Sequence, residues 1–113
     1  MPRLTIQAPD GEISHLELGS HPVLIGREGN VDILLTGPEV SRKHARIVLM
    51  QGEYVLEDLG SANGTSLNGQ PVTRPSTLKN QSQIKIADYT LSIECDPTHL
   101  PSPALMLRIL VQF

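Results

Sequence analysis

Between Arg3 and Cys95, turn signals come so often that no stretch is left for an amphipathic helix of three turns. Asp10-Gly11, Gly37-Pro38, Gln51-Gly52 and Asn68-Gly69 cut the chain into short pieces, and those pieces alternate or run apolar as strands do. Arg3–Ala8 puts Leu4, Ile6 and Ala8 on one face, and Asp10-Gly11 reads as a two-residue hairpin turn. In Glu12–Leu18, Leu16 and Leu18 are in phase and Ile13 is not, which predicts a bulge. Pro22–Arg27 is a short buried strand, and Asp32–Leu35 is a second apolar piece. His44–Met50 places Ala45, Ile47 and Leu49 on one face and pairs back with Tyr54–Leu59. Thr65–Leu67 and Gln70–Val72 flank Asn68-Gly69, and Gln83–Ile86 with Tyr89–Cys95 form a last hairpin. Roughly ten or eleven such strands predict an all-β fold, an antiparallel sandwich of two packed sheets.

A chain of 113 residues supports one domain with one core, and with aromatic residues at 3% that core is aliphatic. The net charge of −3 argues against nucleic acid as the main partner. Arg27, Arg42, Lys43 and Arg46 nevertheless fall within twenty positions of one another, a local cationic patch suited to one small anion. The single Cys95 leaves no internal disulfide and no zinc site built from several thiolates, which fits a reducing, cytoplasmic setting. No metal or cofactor is expected. Met1–Pro9 reads as a strand and not as a signal peptide. Residues 1–95 therefore form the domain, and 96–103, with Pro97, Pro101 and Pro103, read as a linker. Ala104–Phe113 is an apolar tail, broken by Arg108 and far short of the about 20 residues a membrane helix needs. Left bare it would aggregate, so it is expected to dock on its own domain or on a neighbouring chain.

Chemistry concentrates in three loops. Gly26-Arg27 closes an apolar run, Ser41-Arg42-Lys43-His44 opens a strand, and Asp58-Leu-Gly-Ser-Ala-Asn63-Gly64-Thr65 forms a turn-rich loop. That set suits a doubly charged phosphate displayed on an extended peptide, which carries about −1.5 to −2 charges and three acceptor oxygens. Arg27 can meet two of those oxygens bidentately, while the Ser41 hydroxyl and Arg42 supply further donors. Gly60 and Gly64 let the loop turn tightly, so that the Asn63 amide can donate and accept toward a peptide main chain. Hydrogen bonds to charged groups at about 1.5–3 kcal/mol each, less the cost of ordering, lead to an affinity near micromolar, about −8 kcal/mol. Ser41, His44 and Asp58 do not make a hydrolase triad: the chain lacks the G-x-S-x-G elbow, a P-loop and a dinucleotide fingerprint. No enzyme is expected.

These blocks, in this order and followed by Leu67-Asn68-Gly69, resemble the signature of the forkhead-associated (FHA) domain over about residues 3–95. The resemblance implies an FHA/SMAD-like β-sandwich whose loops at one end bind phosphothreonine peptides and recruit kinase substrates. It implies phosphate contacts from Arg27, Ser41 and Arg42, with Asn63 on the peptide main chain. Gly26, His44 and Gly64 would support the loops, and Asn68 would stabilise a turn. Ala62 departs from the pattern, standing where several members carry a hydroxyl, a loss of about 1 kcal/mol. The alternative is a phosphate-independent FHA scaffold, acting through a sheet face or self-associating through the tail.

Overall fold

A computed structural model describes residues 2–94, and within them eleven strands form two sheets. The strands are β1 (Arg3–Gln7), β2 (Ile13–Glu17), β3 (Val23–Gly26), β4 (Ile33–Leu34), β5 (Ala45–Met50) and β6 (Glu53–Asp58). They continue as β7 (Ser66–Leu67), β8 (Gln70–Pro71), β9 (Ser76–Thr77), β10 (Gln83–Ile86) and β11 (Tyr89–Glu94). One sheet runs β2-β1-β11-β10-β7-β8 and the other β4-β3-β5-β6-β9. No described helix is long and apolar enough to cross a membrane. The linker and tail expected over 96–113, and Cys95, lie outside the described residues.

Alternation puts Leu4, Ile6, Ile84, Ile86, Leu91 and Ile93 of the larger sheet against Ile25, Ile47 and Leu56 of the smaller, all buried. Both described aromatic residues, Tyr54 and Tyr89, lie only at the edge of this aliphatic core. Each fully buried Leu or Ile contributes about 1.5–3 kcal/mol, so the interior holds the sandwich without a large ring.

Local geometry departs from the sequence reading at several places. β1 and β2 pair without a bulge, Gln7 opposite Ile13 and Leu4 opposite Leu16, so Ile13 faces solvent at 56% exposure. Their hairpin is closed by Ala8 N–H donating to the Glu12 carbonyl, around Pro9-Asp10-Gly11. That three-residue loop, with Gly11 at φ 93, replaces the expected two-residue turn. β4 pairs with β3 in parallel, the one parallel ladder among the described residues, because the chain crosses back before re-entering the sheet. β9 was not legible; it is two residues long and exists as the edge partner of β6.

The register also decides where the loops go. Ile25, Ala45 and Asp58 are aligned across β3, β5 and β6, at the end of β3, the start of β5 and the end of β6. Leu34, last in β4, pairs beside Gly26. The loops after β3, before β5 and after β6 therefore leave the sandwich at the same end.

Candidate functional site

Gly26 is where this end is assembled. A Cβ there would lie 1.9 Å from the Arg42 carbonyl oxygen, so only glycine lets the Ser41–Arg42 backbone come alongside β3. The closeness is used at once. Arg27 N–H is shared between the Ser41 and Arg42 carbonyls at 3.1 Å each, and His44 N–H donates to the Ile25 carbonyl at 2.8 Å.

Arg27 is half-buried, and its Nε–H donates to the Val40 carbonyl at 2.8 Å, which fixes the plane of the guanidinium. One Nη donates to the Glu28 carboxylate at 3.3 Å, an exposed and weak pair.

His44 is wholly buried between two loops. Ser41 N–H donates to its Nδ1 at 3.0 Å, which makes Nδ1 an acceptor and places the ring proton on Nε2. That Nε2–H donates to the Gly64 carbonyl at 2.9 Å, so one imidazole ties the Ser41 loop to the Asn63 loop. Ala62 N–H donates to Ser41 Oγ at 3.0 Å, leaving the hydroxyl proton free to be given elsewhere. Asn63 Nδ2 donates to the Glu39 carbonyl at 3.0 Å, and the side chain is exposed. Arg42 and Lys43 are exposed and have no ion pair among the described residues.

The loop from Asp58 to Thr65 is organised by Asp58. Its Oδ1 accepts from the Ser61 and Thr65 hydroxyls and its Oδ2 from the Gly60 and Ser61 amides. Burial works to raise this carboxyl. The Ser61 and Thr65 hydroxyls and the Ser61 amide outweigh it, and hold the group below its ordinary value of 3.8. Ser61 Oγ in turn accepts from Gly64 N–H at 3.0 Å. The role of Asp58 was missed from sequence, although the Asp58-x-Gly60 spacing, typical of an Asx turn, was there to find it.

Arg27, Ser41, His44 and Gly64 are thus joined by hydrogen bonds, Asn63 is tied to Glu39 of the same Ser41 loop, and the Arg42 carbonyl meets Arg27 N–H. Asn68 is elsewhere. It sits at the β7–β8 turn at φ 51, with Oδ1 accepting from Gln83 N–H at 2.8 Å. A further support was not foreseen: the Tyr89 hydroxyl, from the opposite sheet, accepts from Thr36 N–H and donates to its carbonyl, both at 3.1 Å. Among the described residues no group of His, Cys, Asp and Glu side chains is arranged to hold a metal ion.

The FHA domain profile matches residues 23–87, which include every residue of this cluster. The chain belongs to the FHA domain family. Its sequence is 43% identical over 80 residues to the FHA domain-containing protein FhaB of Mycolicibacterium smegmatis. That alignment covers 71% of this chain and 52% of FhaB, so the chain spans about half the length of that relative. The fold is similar to that of the FhaA FHA domain complexed with the intracellular domain of Rv3910. There the TM-score is 0.73 at 26% identity, covering 83% of this chain and all of that one. It is also similar to Mycobacterium tuberculosis EmbR in complex with a low affinity phosphopeptide. The TM-score is 0.69 at 29% identity, over 81% of this chain and 24% of EmbR. In this FHA domain the loops at this end of the sandwich are stitched to one another through main-chain groups as much as through side chains.

Proposed function

We propose that this FHA domain is a phosphothreonine-dependent interaction module that recruits kinase-phosphorylated partners. Arg27, Ser41 and Arg42 hold the phosphate and Asn63 holds the peptide main chain. The observation that carries the reading is the position of the Arg27 guanidinium. Nε is anchored on the carbonyl of Val40, the residue before Ser41, and Ser41 Oγ, which accepts from Ala62 N–H, keeps its own proton to give. A dianion with three acceptor oxygens fits that donor set, exchanging with the Glu28 carboxylate on one Nη. The phosphopeptide bound by EmbR, a structural neighbour, supports the same ligand class here.

The module occupies residues 1–95, with 96–103 as linker and 104–113 as a separate tail. It acts in the cytoplasm, where its partners are phosphorylated, and turns over no substrate. Titration with a degenerate phosphothreonine peptide library tests this. Binding near micromolar is expected, lost with Arg27→Ala and with unphosphorylated peptides. Failure of the wild-type domain to bind any member tighter than millimolar would overturn it.

A further inference from the structure

Two open edges lie on one side of the sandwich. β2 is outermost in the larger sheet and β4 in the smaller. A groove runs between them, with Ser14 and Leu16 on one wall and Ile33 and Leu34 on the other. It continues past Leu16 and Asp32 to Glu17 and His21. Leu34 is left 59% exposed there.

Among the described residues β2 pairs only with β1. The phase of that ladder is fixed at both ends, by Ala8 N–H on the Glu12 carbonyl and Leu18 N–H on the Pro2 carbonyl. Antiparallel pairs alternate between bonded and non-bonded, so the amides and carbonyls of Ile13, His15 and Glu17 point along the open edge. Such an edge takes an extended segment as a further strand.

The chain itself carries a segment that fits. Glu94 ends β11 opposite Arg3, and Arg3 is opposite Glu17. Two strand spacings of about 4.8 Å therefore separate the last described residue from the mouth of the groove. Residues 95–103 can span about 30 Å when extended. Their prolines cannot donate to a ladder, but Ala104–Phe113 contains neither Pro nor Gly. Alternation puts Leu105, Leu107, Ile109, Val111 and Phe113 on one face and Arg108, the only charged side chain of the segment, on the other. The groove walls contain no Lys or Arg. Glu17, on the outer face of β2, has no ion pair among the described residues.

We infer that residues 104–113 of this same chain dock on the β2 edge as an added strand and close the open side of the sandwich. β11 and β2 are both antiparallel to β1, so a chain turning back after β11 runs antiparallel to β2. The apolar face of the segment covers Leu16 and Leu34, and Arg108 lies on the same outer face as Glu17.

Amide hydrogen exchange of the full chain, followed residue by residue by NMR at two protein concentrations tenfold apart, tests this. Wild type, Ile109→Asp and Arg108→Glu are compared, with the Leu91 amide as a control for the intact sandwich. The Ile13, His15 and Glu17 amides are expected to exchange about tenfold or more slowly in wild type than in Ile109→Asp. Arg108→Glu should lose part of that protection, and Leu91 should be unchanged throughout. Fast exchange of the three amides in wild type would overturn the docking. So would equal protection in all three chains. Protection that grows with concentration, together with a dimer in sedimentation, would put the segment of a second copy in the groove and overturn the own-chain assignment. If Ile109→Asp disturbs Leu91, Arg108→Glu decides: protection equal to wild type overturns the docking, and a partial loss supports it.

Discussion

One methyl group at position 26 would collide with the Arg42 carbonyl, and backbone cannot yield as the end of a flexible side chain can. Gly26→Ala is therefore expected to cost about 2–4 kcal/mol in urea denaturation and to weaken phosphopeptide binding by displacing the Ser41–Arg42 backbone. Asp58 acts at the same scale through its acceptors. Its native carboxyl titrates below the 3.8 of an ordinary aspartate, so its contribution is complete above that value. The contribution is lost as pH falls through the lowered native value, since the unfolded chain takes up the proton first. Asp58→Asn puts an NH2 against donors and should destabilise the domain by about 2–3 kcal/mol at neutral pH. The gap between variant and wild type should narrow toward pH 3. Denaturation curves from pH 7 downward check both statements, and a gap that widened on acidification would contradict them.

Two hairpins of this fold have the same turn but different residues. Asn68-Gly69 has φ of 51 and 86, and Gln51-Gly52 has 53 and 83. Asparagine tolerates the left-handed region better than glutamine does, and Gln51 is exposed with no other task. Gln51→Asn should stabilise the domain by about 0.5–1 kcal/mol without changing the ligand, measurable as a shift in the urea midpoint. The elements themselves were legible where periodicity or turn chemistry is strong, as in Arg3–Ala8, His44–Met50 and Asn68-Gly69. Ser76–Thr77 carries no period of its own and becomes a strand only because Val55 and Leu56 offer it an edge. Ile13 misled because an apolar residue on the solvent face looks the same in sequence as a phase slip. In the site, Arg27, Ser41 and Asn63 were visible as residue types. The Val40 and Glu39 carbonyls that fix Arg27 and Asn63 were not, because a carbonyl has the same identity at every position.

At the scale of the whole molecule, Tyr89 of the larger sheet ties down the loop that follows β4 of the smaller one. Its hydroxyl holds Thr36, at the start of the loop that supplies Glu39, Val40 and Ser41. Tyr89→Phe keeps the ring and removes the tie. It is expected to lower phosphopeptide affinity by about two- to fivefold while changing stability by less than about 1 kcal/mol, read by titration and by thermal melting. An unchanged affinity would mean that Leu35 and Val40, buried in the core, hold that loop unaided. The bridging of three loops by the His44 ring and by shared amides has a kinetic consequence. Most of the conformational entropy of the cradle is surrendered during folding, before any partner arrives. Partners should thus associate at similar rates with no slow rearrangement phase, and a good one should differ from a poor one in how long it stays.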